Sequence, residues 1–371
     1  MNEKEAIILL NLINGLGPIK AKALIDAFQL PSKIFQQSKI NLIKVKGISA
    51  KLADKILAPE NETILKNELI TVQNCGVTLL TIMDEEYPDI LKEIYDAPLC
   101  LYIRGDISIL KSNCIGIVGS RRISGYGSKM TRFLSESAGY AGWTVVSGLA
   151  YGADIIAHRG ALDAQGKTIA VLGGGLAKIH PQDHIPTAKL IVDNGCVISE
   201  FPMQMNPTRQ TFPMRNRIIS GLSQGTIVIE AGISSGSLIT ANFANEQNRT
   251  VFAVPCQADS STGRGCNELI KKGAKLIENF DDVLEEFEFV PNLQSYRKKE
   301  KEEIEEPELG FELELSDEEQ KIIDAISLEP LSLEKLVEKT NIPVGNLLSI
   351  TMQMEIKKII KQEDRKYKIY G

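Results

Sequence analysis

The sequence lacks the long apolar runs and paired cysteines that mark membrane and secreted proteins. No stretch of its 371 residues approaches the roughly 18 consecutive apolar residues of a membrane span. The first five residues lack a basic region leading into a signal-peptide core. Its six cysteines show no Cys-x-x-Cys spacing, which is typical of reduced, packed thiols. Together these absences predict a cytoplasmic protein with no membrane-bound part.

An overall basic excess is also absent. The net charge of −6 argues against a nonspecific basic coat for nucleic acid. Residues 113–277 nevertheless carry 16 Lys and Arg against 10 Asp and Glu. Ordinary surface variation explains such a local excess as well as an anion-binding surface does, so charge alone leaves the partner open.

Length and apolar patterning predict three folded domains and a linker. Residues 1–70 are interpreted as a small helical domain, with short amphipathic helices at 5–14, 19–28, 32–37, 40–45 and 50–57. In residues 71–287, near-continuous apolar strands alternate with helices, which predicts an α/β, Rossmann-like, mostly parallel sheet covered on both faces. Residues 288–315 are rich in charge and predict a solvated linker. Residues 316–371 give three helices and a hairpin, the order of a winged-helix domain.

The turn Asn14-Gly15-Leu16-Gly17-Pro18 is similar to the hairpin of a helix-hairpin-helix unit, and residues 45–49 form a degenerate second copy. Glycines in such turns let backbone N–H groups approach a phosphate. Gly and Pro also serve as plain helix caps, and the apolar faces of this domain could dock a protein. The sequence leaves these alternatives open.

Residues 201–236 carry the clearest chemistry. Arg209, Arg215 and Arg217 lie within nine residues that contain no acid, and Phe212 lies among them. Guanidinium groups around an aromatic ring suit a nucleic-acid backbone and a base. We interpret the segment as a phosphate-binding loop that leads into a buried strand.

Glycine-rich turns follow four of the predicted strands. Gly119, Ser120 and Arg121 end the first one, but the spacing is not G-x-G-x-x-G, so no nicotinamide cofactor is expected. The other turns lie at 147–152, 172–176 and 232–237. Because ligands of open parallel sheets gather at the carboxyl ends of strands, these turns and the arginines predict one extended anion track.

No catalytic constellation or metal site is predicted. His180 and His184 flank a short turn, but the nearby sequence offers no thiolate or further imidazole for zinc. Glu200 and Glu230 lie near strand ends, and neither pairs with a nucleophile in the sequence.

Motifs spread over about 170 residues carry a family resemblance: Gly119-Ser120-Arg121, Ser147-Gly148, Leu172-Gly173, Phe212-Pro213, Arg215-Asn216-Arg217, Glu230-Ala231, Ser235-Gly236-Ser237 and Gly265-Cys266-Asn267. On these residues the chain resembles the DprA/Smf family of bacterial DNA-processing proteins. The family usually has Gly at the position of Cys256 and Tyr at that of His180. Neither departure touches the arginines.

The resemblance implies a protein without turnover or cofactor that binds single-stranded DNA, self-associates as a homodimer and helps load the RecA recombinase in natural transformation. Ser120 and Arg121 match the family's phosphate-binding loop, Arg209 a basic DNA contact, and Phe212 an aromatic that stacks on a base. The expected DNA-binding residues are Gly119, Ser120, Arg121, Gly148, Gly173, Gly174, Arg209, Phe212, Arg215, Asn216, Arg217, Ser235, Gly236 and Ser237. Among the three arginines of residues 201–236, Arg209 is the expected contact, whereas Arg215 and Arg217 could chiefly hold the loop to the domain.

The rival hypothesis is an enzyme. Similar Rossmann-like proteins, the phosphoribohydrolases, cleave nucleotide glycosidic bonds with a glycine and threonine loop beside a glutamate at a strand end. Glu230 and Thr240 occupy comparable positions here, although the full Pro-Gly-Gly loop is missing.

Overall fold

The computed structural model describes residues 1–287, 316–326, 331–356, 359–363 and 366–369. The chain divides into two compact units, residues 1–296 and 297–371. The predicted charged linker at 288–315 lies outside the described residues, and the four-segment division of the chain stays a prediction.

Six helices begin the first unit: α1 (Glu3–Leu12), α2 (Pro18–Phe28), α3 (Pro31–Ile34), α4 (Lys39–Ile43), α5 (Ala50–Ile56) and α6 (Asn61–Asn74). The first five lie where the sequence predicts helices, and α6 was not predicted. Both hairpin-like turns have a glycine in the left-handed region, Gly15 with φ of 91° and Gly47 with φ of 86°. The degenerate second copy therefore keeps the backbone shape of the first.

A nine-stranded sheet follows, in which short helices or loops precede β3 and helices alternate with strands after it. Its elements in chain order are β1 (Thr78–Thr81), α7 (Asp89–Lys92), β2 (Cys100–Gly105), β3 (Cys114–Val118), α8 (Gly125–Tyr140), β4 (Thr144–Ser147), α9 (Ala153–Asp163), β5 (Thr168–Val171), α10 (Ile185–Asn194), β6 (Gly195–Ser199), α11 (Thr211–Leu222), β7 (Gly225–Val228), α12 (Gly236–Glu246), β8 (Thr250–Ala253), α13 (Arg264–Lys271), β9 (Lys275–Leu276) and α14 (Asp281–Glu286).

The strand order is β1-β2-β6-β5-β4-β3-β7-β8-β9. Neighbours from β6 to β9 pair in parallel, and β2 pairs antiparallel with both β1 and β6. The predicted mostly parallel, Rossmann-like sheet is confirmed. Strands β3 to β7 are buried along their whole length, which explains their unbroken apolar sequences.

Apolar clusters cover both faces of the sheet. On one face the only tryptophan of the sequence, Trp143, is buried and packs against Phe280 and Phe287, with ring centroids 5.9 and 5.4 Å away. Another cluster joins the N-terminal helices to the sheet, since Leu10 and Leu24 share it with Ala170, Val197 and Met203.

The second unit contains α15 (Asp317–Ile326), β10 (Leu331–Ser332), α16 (Leu333–Thr340), α17 (Val344–Ile356), β11 (Ile360–Glu363) and β12 (Lys366–Ile369). The strands form an antiparallel sheet in the order β10-β12-β11. Ile322, Leu336, Leu347 and Ile360 form its core. Three helices with a small sheet agree with the predicted winged helix. Among the helices that the structure describes in either unit, none has the length and hydropathy to cross a bilayer.

Candidate nucleic-acid interface

The sheet reverses its direction of growth between β3 and β7. From β3 the chain adds β4, β5 and β6 on one side, and it then returns to add β7, β8 and β9 on the other. Loops that leave neighbouring strands in opposite directions open a crevice at their carboxyl ends, which is where ligands of such sheets bind. Here the crevice is a cleft of about 730 Å³, and its lining includes Gly119, Ser120, Arg121, Arg209, Phe212, Arg215, Asn216, Ser235, Gly236 and Ser237.

The loop after β3 brings two exposed arginines, Arg121 and Arg122, to the cleft. The Ser120 hydroxyl accepts a hydrogen bond of 3.1 Å from the Arg122 N–H, which fixes the turn. Gly119 is required by close packing, because a Cβ there would lie 2.7 Å from the Cβ of Ala153. The loop therefore presents cationic side chains from a well-defined backbone.

Phe212 lies in the first turn of α11, which begins at Thr211, so the prediction of a loop through Arg217 is wrong. Thr208 and Thr211 hydrogen-bond each other across the helix start, including 2.9 Å from the Thr208 N–H to the Thr211 hydroxyl. These hydrogen bonds between side chains and backbone begin the helix at Thr211, inside the segment interpreted as a loop.

The Phe212 ring is half-buried and lies against the Arg121 side chain. The Arg121 Cζ is 5.5 Å from the ring centroid, within cation–π range, and the His180 ring centroid is 6.1 Å away. Gly173 lies beneath the ring, since a Cβ at that position would be 2.8 Å from the Phe212 Cδ1. Arg209 is exposed and lines the same cleft. The fold thus brings together the three side chains that sequence chemistry favours as contacts.

Arg215 is buried beneath the cleft floor. Its Nη1 donates to the carbonyl oxygens of Gly148, at 2.5 Å, and of Val171, and its Nε donates to the Asn216 side chain at 3.1 Å. Burial lowers the pKa of its guanidinium to about 10, against the opposing effect of the Asp154 carboxylate, so it stays charged at neutral pH. Arg215 therefore ties α11 to the ends of β4 and β5.

Asp154 lies in the first turn of α9, and its carboxylate interacts electrostatically with the Arg215 guanidinium. Its Oδ2 accepts from the N–H groups of Gly148, at 3.1 Å, and Ala150, at 3.3 Å. Burial raises the pKa of this carboxyl, and the nearby Arg215 charge opposes the rise. Arg215 and Asp154 thus both hold the loop after β4, Arg215 through the Gly148 carbonyl and Asp154 through the Gly148 and Ala150 N–H groups.

Arg217 is also buried, and it faces away from the cleft toward two carboxylates. Its Nε lies 3.0 Å from the Asp96 Oδ2, and its Nη2 lies 2.5 Å from the Glu200 Oε2. Burial raises the pKa of the Glu200 carboxyl, and the Arg217 charge opposes that rise. Asn216, half-buried between the two arginines, donates from its amide to the Gly236 carbonyl at 3.4 Å and joins the starts of α11 and α12.

Two further predicted glycines, Gly148 and Gly174, are buried under protein. A Cβ at Gly148 would lie 2.3 Å from the Arg215 Nη1, and one at Gly174 would lie 2.9 Å from the Pro207 Cδ. Gly148 leaves room for the Arg215 side chain, and Gly174 leaves room for the segment before α11. Gly236, in contrast, has no neighbouring atom within 4 Å of a built Cβ and is open.

The start of α12 forms the opposite wall of the cleft. Ser235 is its N-cap, and its hydroxyl lies 2.7 Å from the Ser237 hydroxyl and accepts from the Ser237 N–H at 3.4 Å. Helix N-termini present backbone N–H groups and a positive dipole to anions. Arg121, Arg209 and this helix end therefore surround a space suited to a phosphate.

Comparison with known proteins identifies the family of this chain. The family of DNA recombination-mediator protein A matches residues 78–288, and the DprA winged helix domain matches residues 307–364. Protein Smf of Synechocystis is 33% identical over 95% of this chain and 94% of its own. The chain belongs to the DprA/Smf family.

Two solved structures of the DprA/Smf family resemble this fold. DNA processing protein A of Streptococcus pneumoniae superposes with a TM-score of 0.69 at 33% identity and covers 77% of this chain and 99% of that one. DNA processing protein A of Helicobacter pylori, described by its single-stranded DNA binding mode, gives a TM-score of 0.51 at 29% identity, over 60% of this chain and 97% of that one. The family resemblance read from the motifs is confirmed.

The cleft of this DprA/Smf chain also contains residues that sequence reasoning missed. Arg122 adjoins Arg121, and Ser261 and Thr262 come from the loop between β8 and α13. The same rule that found the other strand-end loops applies to this one, because it also follows a parallel strand at its carboxyl end. The serines and threonine of this loop are the sequence signal for a polar lining of the cleft.

Glu230, the glutamate of the rival enzyme hypothesis, makes a structural hydrogen bond in this DprA/Smf chain. It is buried, and its Oε2 accepts from the Ser124 N–H at 2.9 Å, next to the start of α8. A Cβ at Gly127 would lie 2.3 Å from that oxygen, so the carboxylate fits closely against the helix. Thr240 lines the cleft. In this geometry the Glu230 carboxylate caps the N-terminus of α8.

The histidines of the turn after β5 have structural contacts. His184 is buried, its Nδ1 lies 2.8 Å from the Leu149 carbonyl oxygen, and its ring lies edge-on to Tyr151 at 4.8 Å. Within the described ranges, no three His, Cys, Asp or Glu side chains cluster as metal ligands would.

The N-terminal helices hold the segment that leads to Arg209. Asn11 of α1 donates to the Glu200 carbonyl at 3.0 Å, and Glu68 of α6 accepts from the Met203 N–H at 2.7 Å. The arginine-bearing segment is thus fixed at its beginning by these helices and at its end by Arg215 and Arg217.

Proposed function

We propose that this protein binds single-stranded DNA in the cleft between the loop after β3 and the first turns of α11 and α12. The observation that carries the proposal is that Arg121 meets Arg209 and Phe212, which lie in a distant segment of the chain, on one open cleft. A ring beside guanidinium groups provides a stacking platform and phosphate ligands together. The binding mode described for the Helicobacter pylori relative supports it.

Binding requires Arg121 to exchange partners. In the free protein its guanidinium lies over Phe212, a contact that contributes about 0.5 to 1 kcal/mol at an exposed site. A stacked base contributes roughly 1 to 3 kcal/mol, so the base displaces Arg121 from the ring. The released guanidinium then donates to an adjacent phosphate, the stronger charge-assisted bond. Gly173 supports the other side of the ring throughout.

Ser120, Ser235 and Ser237 complete the phosphate surface in this proposal, with backbone N–H groups at the start of α12. Arg215 and Arg217, whose guanidinium groups are buried against carbonyls and carboxylates, position α11 and make no DNA contact. Gly148, Gly173 and Gly174 act by letting the protein pack closely beneath the strand.

The proposal extends to what family membership suggests. We infer a cytoplasmic DNA-processing protein that works as a homodimer, protects incoming single strands and delivers them to the RecA recombinase without catalysing a reaction. The support is the match to the DNA recombination-mediator family over most of the first unit. The domain organisation proposed with it is the division at residues 70, 287 and 315.

Fluorescence anisotropy with labelled oligo-dT and a matched duplex, across a salt series, tests the site. Arg121→Ala and Arg209→Ala should weaken binding to all sequences equally and lower the salt slope by about 0.7 each, the value for one phosphate on a single strand. Phe212→Ala should cost about 1 to 3 kcal/mol of binding with a smaller change in slope.

Arg132→Ala is the matched control. Arg132 is exposed on α8, pairs with Glu136 and Asp163, and does not line the cleft, so binding should be unchanged. Unchanged affinity in all three cleft variants would refute the site. A parallel assay for release of the base from nucleoside monophosphates addresses the rival enzyme, and release that Glu230→Gln abolishes would favour it.

A further inference from the structure

Two of the six cysteines lie together at the carboxyl ends of β7 and β8, beside the cleft. The Cys256 Sγ is 3.6 Å from the Val254 carbonyl oxygen and 3.9 Å from that of Ile229, and the Cys266 Sγ is 3.6 Å from the Val228 carbonyl oxygen. Cys256 packs against the buried apolar cluster that contains Cys266. A Cβ at Gly263, three residues before Cys266, would lie 2.9 Å from the Cys256 Sγ. The two thiols therefore lie close together at the start of α13.

The surrounding backbone holds the pair in place. The Asn267 amide pins Cys256 from both sides, accepting from its N–H at 3.1 Å and donating to its carbonyl at 2.9 Å. Gly263 leaves the room for it, because a Cβ there would lie 2.2 Å from the Cys256 Cβ. Cys266 is fixed in the first turn of α13.

The pair is asymmetric in exposure and acidity. Cys256 is half-buried and Cys266 is fully buried. The neighbouring Cys266 thiol lowers the pKa of the Cys256 thiol, whereas Cys256 and burial together raise the pKa of the Cys266 thiol. A partly exposed sulfur with thiolate character is the one that reacts with oxidants, and a neighbouring thiol can then resolve the product.

We propose that Cys256 and Cys266 form a reversible, peroxide-driven disulfide in one wall of the cleft. The Cys256 thiolate attacks the O–O bond of a hydroperoxide, forming a sulfenic acid and releasing water or an alcohol. The Cys266 sulfur then attacks the Cys256 sulfur, its proton leaves with the displaced hydroxide as water, and the S–S bond forms. Two thiols are oxidised and one peroxide is reduced, and a dithiol reductant restores the thiols.

The bridge would close the loop that supplies Ser261 and Thr262 to the cleft wall. Cys75 serves as an internal comparison, because it is half-buried like Cys256 and lies at the end of α6, among the N-terminal helices. The remaining cysteines, Cys100, Cys114 and Cys196, are buried in the core, and burial raises the pKa of each.

Peptide mapping of the full-length protein tests the proposal. After graded hydrogen peroxide, the thiols are blocked with N-ethylmaleimide and the protein is digested with trypsin without reduction. Cleavage after Arg264 places the two cysteines on separate peptides, 250–264 and 265–271, so the disulfide appears as a linked pair that dithiothreitol separates. We expect this linkage at peroxide levels that leave Cys75 unoxidised, so that Cys75 is found as its N-ethylmaleimide adduct.

Two variants assign the roles. Cys266→Ser should accumulate a dimedone-reactive sulfenic acid on Cys256, whereas Cys256→Ser should leave the buried Cys266 unmodified. Trp143 fluorescence checks that each variant is folded, and Cys256→Ala replaces Cys256→Ser if the latter is not. Oxidation of Cys75 before any 256–266 linkage, or equal dimedone labelling of Cys256 in the wild type and Cys266→Ser, would overturn the proposal.

Discussion

Replacing Arg215 by methionine should destabilise the fold without removing a phosphate contact. The substitution removes the donors to the Gly148 and Val171 carbonyls and leaves the buried Asp154 carboxylate without its counter-charge. Leaving a buried polar group without its hydrogen bond costs about 1 to 3 kcal/mol. Asp154 keeps its two backbone N–H donors and can protonate, so the lower end of that range is expected.

The loss should also depend on pH. The pKa of the Asp154 carboxyl is already raised in the folded protein, and removing Arg215 raises it further. A carboxyl whose folded pKa exceeds its unfolded value contributes most stability at low pH and loses that contribution as the pH rises through the folded pKa. The penalty of Arg215→Met should therefore be smaller at pH 5 than at pH 8. Adding Asp154→Asn should recover part of it, as a double-mutant cycle would measure.

Trp143 provides the assay, because the only tryptophan of the sequence is buried in the first unit and reports unfolding there alone. Urea titrations give the free energy of unfolding, and anisotropy with oligo-dT gives the salt slope under conditions where the variant is folded. The matched control, Arg121→Met, should unfold like the wild type and lose about 0.7 from the slope. An Arg215→Met variant of wild-type stability with a reduced slope would refute the positioning role.

Three further outcomes are expected. His158 is buried, and burial lowers its pKa to about 3. As the pH falls below 6.5 the unfolded chain therefore binds a proton at His158 that the folded protein does not bind, and the free energy of unfolding should fall by about 2 kcal/mol by pH 5. His158→Gln should flatten this pH dependence in urea titrations monitored by Trp143 fluorescence. Glu68→Ala removes the acceptor of the Met203 N–H and should weaken oligo-dT binding in anisotropy, whereas exposed Glu62→Ala in the same helix should not. Gly173→Ala places a methyl group 2.8 Å from the Phe212 ring and should weaken binding without changing the salt slope. Gly125→Ala, at the start of α8 and outside the cleft, meets open space and should be tolerated; equal effects of the two would contradict the stacking platform.

Much of the sheet could be predicted because burial on both faces leaves a direct mark on the sequence. The apolar run 114–118 has the same bounds as β3, since a fully buried parallel strand has no polar face to blur its ends. Helix α6 was missed for the converse reason. Its buried residues within 61–74 are Asn61, Leu65 and Val72, too few to set a helical period.

The sequence predicted which residue types form the site more fully than it predicted the role of each residue. Arg121, Arg209 and Phe212 were expected as contacts, and the fold places them on one cleft. The burial of Arg215 and Arg217 could not be read from the sequence, because the groups that bond them lie far away in the chain: the Gly148 and Val171 carbonyls for Arg215, and Asp96 for Arg217. A buried arginine and an exposed one are identical in a sequence until the carboxylates and carbonyls that surround it are placed.

The hydrogen bonds that join Asn11 to residue 200 and Glu68 to residue 203 show that the first residue of the recombination-mediator family match is not the mechanical limit of the first unit. The family match begins at residue 78, yet the helices before it share an apolar cluster with the sheet and hold the segment leading to Arg209. A fragment cut at that point would expose the cluster and release the Met203 N–H. A change in the N-terminal helices, whether inherited or engineered, would thus reach the arginine-bearing segment through a covalently distant but physically adjacent support.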